Sequence, residues 1–278
     1  MHLEAIVAHH ASTINALVRT VWVVLSLTAF LSTVFPPLRR LSLHGRLQSS
    51  STPSVLMVRK SWFGYFYFVG WTWNGLVLAL VFLWSTSPSS PLACSGATLL
   101  CLVCLECHLF RRMLESVSIT QFGNSTMHAA ALILGTGHYI LVSLSIVLDN
   151  GAKTPLSLAW FDILLLLSGV GLFLVASAHQ MKCNAILASL KAASPNPSYG
   201  VPKGDWFDLT WSPLYLCEVL LYVAFVLMTQ GRNENVWWIA LWVSTNQAIS
   251  AHRGKGWYLD TFPAARTAQR ATLIPYVW

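Results

Sequence analysis

The chain has 278 residues, of which 55% are hydrophobic and only 10% charged, against roughly 25% charged in ordinary soluble domains. At a mean hydropathy of +0.58 there is too little polar side chain to coat a water-soluble globule, and 6 Cys in this length are too sparse for a secreted disulfide scaffold. What remains is a polytopic membrane protein, in which the net charge of +7 fits a positive-inside topology better than nucleic-acid binding.

Seven apolar segments follow in chain order, near 14–35, 61–85, 92–110, 128–148, 156–179, 212–229 and 235–250. A bilayer-spanning helix needs roughly 20 apolar residues, and helices are required because lipid-facing backbone must satisfy its own hydrogen bonds. The expectation is an all-α integral membrane protein: one bundle of seven transmembrane helices and a single domain over 1–278. Within it 14–110 supplies the first three helices, and 111–278 carries the long 180–211 loop and the tail. Met1–Thr13 has neither a basic n-region nor a cleavage site, so the first segment reads as an uncleaved helix. The pair His9-His10 reads as exposed at the far-side interface, and Leu47–Ser54 as a short loop. Alternate loops hold fourteen Lys and Arg against two, Lys153 and Arg232, with Arg19 left inside the first span. That asymmetry puts the C-terminus and the 180–211 loop in the cytosol.

An ionisable side chain at membrane depth is expensive and invites a functional question. Glu115 stands four residues after Arg111 and three after Arg112, within pairing reach on a helix. His108 lies four before Arg112, so that with Glu106 a polar stripe leaves the third span on one face; interfacial anchoring by snorkelling arginines is the plainer alternative. Asp162 opens the fifth span, and His179, Gln180, Lys182 and Asn184 close it. Glu218 sits inside the sixth and must be paired, neutralised or turned toward water. His138 reads as a satisfied packing histidine. Cys101, Cys104 and Cys107 have a spacing that can ligate iron–sulfur clusters, but in an apolar helical run without a fourth ligand they read as buried thiols. Asn124-Ser125-Thr126 is a glycosylation sequon on the cytosolic side. Gly135-x-Gly137 and Gly169-x-Gly171 follow no strand and read as sites of close helix packing.

The run His179-Gln-Met-Lys-Cys-Asn-Ala-Ile-Leu-Ala-Ser-Leu-Lys191 resembles a segment of the steroid 5α-reductase superfamily. Further stretches agree in order: Lys60-Ser-Trp-Phe-Gly-Tyr-Phe-Tyr67 with Trp73-Asn74, then His108-Leu-Phe-Arg-Arg-Met-Leu-Glu115 with Phe122-Gly-Asn124. After these come Pro202-Lys-Gly-Asp-Trp-Phe-Asp208, running into Ser212-Pro-Leu-Tyr-Leu-Cys-Glu218, then Asn246-Gln-Ala-Ile-Ser250, Trp257-Tyr258 and Ile274-Pro275. The match runs from about residue 58 to the C-terminus, and the Gly-Asp-Trp-Phe and His-Gln-x-Lys-Cys pieces point to the polyprenoid-reducing branch. The resemblance implies a seven-helix, multi-pass protein of the endoplasmic reticulum membrane that holds NADPH from the cytosolic side. It implies reduction of the α-isoprene double bond of polyprenal to dolichal, the step that supplies dolichol for protein N-glycosylation. Its partners are then a polyprenoid lipid and the bilayer, with no nucleic acid and no metal. Position by position, the resemblance puts Gln180, Asn184 and Lys191 where the family's cofactor-contacting residues lie, Arg112 on the Arg after the third span, Glu218 on the buried Glu and Tyr258 on the C-terminal Tyr. With candidates added from this sequence itself, Glu218, His108 and Tyr258 are the catalytic ones. Arg112, Gln180, Asn184, Lys191, Asp205, Tyr215, Asn246 and Lys255 become the cofactor-binding ones. Two positions depart from the family pattern. Leu109 stands where steroid-reducing relatives carry a ketone-polarising Tyr, and Lys255 replaces a His, the nearest being His252; the cation is kept but its shape changes.

The chemistry of such a substrate is restrictive. An isolated alkene or an allylic alcohol offers no electron sink for hydride, whereas an α,β-unsaturated aldehyde passes charge to its carbonyl oxygen as an enolate. The protein must stabilise that oxygen with a donor and supply a proton to the α-carbon. His108, Tyr215, Tyr258 and a protonated Glu218 are the candidate donors. Lys182, Lys191, Lys203, Arg111 and Arg112 are the cations available for phosphates. Three other readings compete. A 3-oxo-5α-steroid 4-dehydrogenase shares the superfamily. Ser212-Pro-Leu-Tyr215 with Glu218 also resembles the C-terminal motif of integral-membrane methyltransferases using S-adenosylmethionine, although Trp211-Ser212 replaces their Arg-His. A seven-helix receptor or lipid carrier would instead place its polar residues on the far side.

Overall fold

The computed structural model describes residues 2–35, 57–85, 94–123, 125–149, 155–193 and 200–278. Leu47–Ser54, Arg39, Arg40, Arg46, Lys153 and the sequon residue Asn124 lie outside the described residues, as does the His9 side chain. Seven α-helices are present among the described residues. They are α1 (His2–Leu31), α2 (Phe63–Ser85), α3 (Gly96–Ser118), α4 (Ala129–Leu148), α5 (Trp160–Ala193), α6 (Pro213–Met228) and α7 (Glu234–Thr261). Their starts follow local chemistry. Ser95 accepts from the Thr98 backbone N–H before α3 and Asn233 accepts from Val236 before α7, both as N-caps, and Pro213 opens α6 where no N–H is needed.

The architecture is all-α apart from one small ribbon, in which β1 (Met57–Arg59) runs antiparallel to β2 (Thr126–His128) with Val58 opposite Met127. Nothing in the hydropathy pattern announces it, because three residues per strand are too few to show a period of two. The ribbon fixes the starts of α2 and α4 side by side. Helix α5 packs along α6, α2 along both α3 and α4, and α7 along both α6 and α1. At Gly169 a Cβ would stand 2.8 Å from the Ala224 carbonyl oxygen, and at Gly135 one would meet the Phe66 ring at 2.7 Å. These two glycines permit the close helix approach read from the sequence, whereas Gly137 and Gly171 face open space.

Among the described residues, four stretches are long and apolar enough to cross a membrane: Ser12–Leu31, Lys60–Leu83, Ala129–Leu148 and Trp160–Ala192. Their outward faces are apolar, with Leu17, Phe30, Phe82, Ile133, Leu167 and Leu174 all exposed, the pattern of a surface solvated by lipid. The chain is therefore a multi-pass membrane protein. Helix α6 is apolar but short. Helices α3 and α7 carry Glu106, His108, Arg111, Arg112 and Glu115, and Arg253, Lys255 and Asp260, respectively.

The helix ends correct the sequence reading. The segment placed at 156–179 continues as helix to Ala193, so the first part of the expected 180–211 loop is helical. The segments at 92–110 and 235–250 likewise run on to Ser118 and Thr261, and α1 begins at His2 rather than near 14. Hydropathy marks the lipid-facing part only. In α3 and α5 the polar residues beyond it pair with each other across helices, which keeps the backbone helical past the apolar window.

Candidate functional site

The polar stripe of α3 meets α5 and the first turns of α6. Arg111 donates to Glu115 at 2.5 Å, and Arg112 donates to the other oxygen of the same carboxylate, as the i+4 and i+3 spacing predicts. Arg111 also donates to the Gln180 side-chain oxygen at 2.6 Å, and the Gln180 amide donates to Glu218 at 2.8 Å. Asn184, one turn further along α5, donates to Glu115 at 3.1 Å. Buried His108 faces Arg111 through Nδ1 at 3.2 Å rather than Arg112, and its Nε2 lies 3.9 Å from Glu218. Because a guanidinium only donates, Nδ1 is the acceptor and the ring proton sits on Nε2, turned toward the carboxylate. Two arginines and two glutamates thus balance one another, as a network of charges withdrawn from water requires.

Aromatic hydroxyls border this network. Arg112 donates to the Tyr67 oxygen at 3.2 Å, with its guanidinium 5.1 Å from the centre of that ring. Tyr139 packs against Tyr67, and Tyr222 with Glu218 lies within electrostatic range of both phenols. Tyr222 and His138 Nε2 are 2.8 Å apart, and His138 Nδ1 accepts from Trp242, so His138 is a bonded core residue as read. Glu106 belongs elsewhere: it accepts from Asn74, which also takes a hydrogen bond from Ser143 and ties α2, α3 and α4 together. Leu109 is fully buried in the apolar core. The three cysteines rotate around α3 from buried Cys101 through half-buried Cys104 to exposed Cys107, so the buried-thiol reading fails for the last. A spacing of three advances a helix by 300°, which carries successive residues off the inner face.

A second polar group closes the 202–208 loop onto α5. His179 Nδ1 lies 2.9 Å from both oxygens of Asp205, the Cys183 thiol donates to the same carboxylate at 3.3 Å, and the Trp206 ring stacks on His179 at 4.1 Å. Burial would raise the Asp205 carboxyl, but the hydrogen bonds from His179, Cys183 and the Trp206 backbone outweigh it and hold it below its ordinary value. Asp205 has φ +48°, a conformation that Asp tolerates better than most residues. Near the other end of the extension, Lys191 donates to the Gln121 carbonyl oxygen at 2.6 Å.

The C-terminal tail forms the third part. The Trp211 backbone N–H donates to the Ala271 carbonyl oxygen and that of Ala271 to the Leu209 carbonyl oxygen, Arg270 donates to the Pro202 carbonyl oxygen at 2.9 Å, and its guanidinium lies 5.0 Å above the Trp211 ring. The folded-back tail borders an open cavity of about 910 Å³. Lys255, Arg266, Arg270 and His252 line it, together with Asp208 and Trp211, and Lys255 donates to Thr272 at 3.2 Å. Tyr215 and Tyr258 line a smaller adjoining cavity of about 100 Å³, with Trp211 in the wall of both. Of the residues singled out from sequence, His108, Arg112, Gln180, Asn184 and Glu218 come together in the first network. Asp205, Lys191, Lys255 and the two tyrosines fall in the other places, and Asn246, half-buried on α7, lines neither cavity. Tyr67, Arg266 and Arg270 were missed. The tail arginines had no spacing signal, because backbone pairing places them.

A family model described as 3-oxo-5-alpha-steroid 4-dehydrogenase matches residues 126–278. A polyprenal reductase of Xenopus tropicalis is 31% identical over 256 residues, covering 80% of each chain. The polyprenal reductase of Homo sapiens is 29% identical over 254 residues, with 80% of this chain and 78% of the relative covered. Polyprenal reductase 1 of Arabidopsis thaliana is 26% identical, with 84% and 86% covered. The shared stretch takes in most of the chain, so the chain belongs to the steroid 5α-reductase superfamily, in its polyprenal reductase branch.

Proposed function

We propose that this chain is an NADPH-dependent polyprenal reductase, an oxidoreductase acting on a CH–CH group that saturates the α-isoprene double bond of polyprenal to give dolichal. The observation that carries this reading is the cation-lined cavity of about 910 Å³ at one end of a bundle whose outer faces are apolar. A long polyprenoid cannot leave the bilayer and a charged dinucleotide cannot enter it, so the two must meet at such a junction. We read all seven helices as spans of one domain in the endoplasmic reticulum membrane, with 14–110 giving three helices and 111–278 the reductase part. The fourteen-to-two division of basic residues supports a cytosolic C-terminus.

NADPH fits the cavity by size, since ligand pockets commonly measure roughly 300–1,000 Å³, and by charge, since three cations line it against one carboxylate. Lys255, Arg266 and Arg270 would hold the NADPH phosphates. Tyr215 and Tyr258 wall the smaller cavity beside Trp211. Arg112, Gln180 and Asn184 contribute through the network around Glu218, and Lys191 and Asn246, which line neither cavity, are kept as cofactor-binding candidates on the family resemblance alone. Asp205 holds the loop that forms one wall of the cavity. When bound, the nicotinamide supplies hydride. Glu218, oriented by Gln180 and faced by His108, stands at the reacting end, where it fixes the local charge and moves a proton together with His108; Tyr258 closes that end from the tail side.

Purified protein in detergent is expected to oxidise NADPH only when polyprenal is supplied. Equal turnover of a 3-keto-Δ4 steroid moves the chain to the steroid-reducing branch, and binding of S-adenosylmethionine instead of NADPH in a titration ends the reductase reading.

A further inference from the structure

The geometry points to Tyr67 as the group that donates to the substrate's carbonyl oxygen, a role resting on the polyprenal reductase reading above. The argument is a count of donors at the network around Glu218. Gln180 already spends its amide on Glu218, and Asn184 spends its own on Glu115. His108 keeps its Nε2 proton, since Glu218 at 3.9 Å is beyond hydrogen-bond reach, but that proton belongs to the transfer it shares with Glu218. Three phenols remain with a proton to give; Tyr139 has no hydrogen bond orienting its hydroxyl among the described residues, whereas the other two each accept such a bond. Tyr222 is one: His138 accepts from Trp242 at Nδ1, so its ring proton sits on Nε2 and points at the Tyr222 oxygen. Tyr67 is the other, accepting from Arg112.

What separates the two is the charge of the neighbour. An imidazole that accepts at its other nitrogen carries no net charge to offset a developing phenolate. Arg112 is a permanent cation, hydrogen-bonded to the Tyr67 oxygen and close to the face of its ring, and it is fixed in turn by Glu115. Proton release from Tyr67 therefore places negative charge next to a positive group already in position, so no reorganisation is needed as the charge develops. Leu109 offers no hydroxyl on the neighbouring helix, and Tyr67 on α2 supplies one to the same arginine network.

The step balances as follows. The hydride would come from the C–H bond of the reduced nicotinamide, which is thereby oxidised, and would form the new C–H bond at the β-carbon; the alkene electron pair moves to join the α-carbon to the carbonyl carbon, and the carbonyl π pair moves onto oxygen. Tyr67 passes its proton to that oxygen, giving an enol and a phenolate beside Arg112. Glu218 and His108 then pass a proton to the α-carbon and regain one from solvent, the enol O–H returns its proton to Tyr67, and the saturated aldehyde leaves with one hydride and one solvent proton added.

Tyr67→Phe removes the hydroxyl and keeps the ring against Arg112 and Tyr139. With full-length protein in detergent, polyprenal-dependent kcat is expected to fall roughly 10²- to 10³-fold, the usual loss for one oxyanion donor. NADPH affinity, KM for polyprenal and melting temperature should stay at wild-type values. Wild-type kcat in this variant overturns the assignment and leaves the reductase reading standing, whereas a wild-type enzyme that ignores polyprenal overturns both. If the phenylalanine variant folds poorly, 3,5-difluorotyrosine at position 67 is the second test. It keeps the shape and makes the phenol more acidic, so the basic limb of the kcat–pH profile should move to lower pH; an unmoved limb rejects Tyr67 as the donor.

Discussion

Two arginine-centred networks sit at opposite ends of the bundle and are built differently. At one end Arg19 of α1 reaches Asp149 at 2.7 Å, Glu234 at 2.6 Å and the Asn235 side-chain oxygen at 3.0 Å, while Asn235 donates to Asn15. Every guanidinium nitrogen there has an acceptor, and the bonds tie α1 to the end of α4 and the start of α7. At the other end Arg111 and Arg112 share Glu115, and the remaining carboxylate, Glu218, has one amide donor and a histidine at 3.9 Å. The first network is a closed clasp. The second leaves a carboxylate, an imidazole and a phenol with capacity to spare, as a site that must accept and return protons requires. The comparison shows that intramembrane charge alone does not mark a site; what marks it is charge whose hydrogen bonds are incompletely committed.

Separating the two networks by mutation gives the largest effects. Glu218→Gln keeps the shape and the contact with Gln180 but removes the charge. Polyprenal-dependent NADPH oxidation should fall on the order of 10²-fold or more, with expression and melting temperature retained. Arg19→Ala should do the reverse. It removes the charge that faces Asp149, which is only 2% exposed, and since Arg19 is itself partly exposed the loss is about 2 kcal/mol, below that of a fully buried pair. A melting temperature lower by about 4–8 °C, with unchanged kcat in the folded fraction, would bear this out. If Arg19→Ala lost turnover without losing stability, or Glu218→Gln lost stability without losing turnover, the contrast between clasp and site would be wrong.

How much of this was legible in the sequence depends on whether side chains or backbone do the holding. The helices lie where the apolar windows put them, and the double pairing of Glu115 follows from its spacing to Arg111 and Arg112. Gly135 and Gly169 were readable as packing glycines, but nothing local separated them from Gly137 and Gly171, because the difference lies in which neighbour each one faces. The continuation of α5 to Ala193 was hidden since Gln180 and Asn184 look like loop residues until Arg111 and Glu115 are opposite them. The β1–β2 ribbon and the return of the tail onto Trp211 were invisible for a stronger reason: main-chain hydrogen bonds place them, and these leave no residue-type signature. Arg266 and Arg270 therefore entered the site only with the structure. Tyr67 lay within a recognised stretch, yet its relation to Arg112, 45 positions away, could not be inferred from one sequence.

A smaller effect sharpens the comparison, because the His179–Asp205 pairing belongs to neither extreme. It closes a loop onto α5 as the Arg19 clasp closes helices, but it lies beside the cavity and is partly exposed. If it is a latch, Asp205→Asn should cost under about 1 kcal/mol, in keeping with a pair that water can screen, and should weaken NADPH binding only modestly by loosening the 202–208 wall. The pH dependence gives the sign. The Asp205 carboxyl is held below its ordinary value, so its contribution is fully present above the ordinary carboxylate range and is lost as pH falls through the depressed value. Melting curves of wild type and Asp205→Asn should therefore be separated at neutral pH and converge in acid. Curves that stay equally far apart from neutral pH down through that range would show that the Asp205 carboxylate charge does not hold the loop, and the latch would then rest on the stacking of Trp206 against His179 instead.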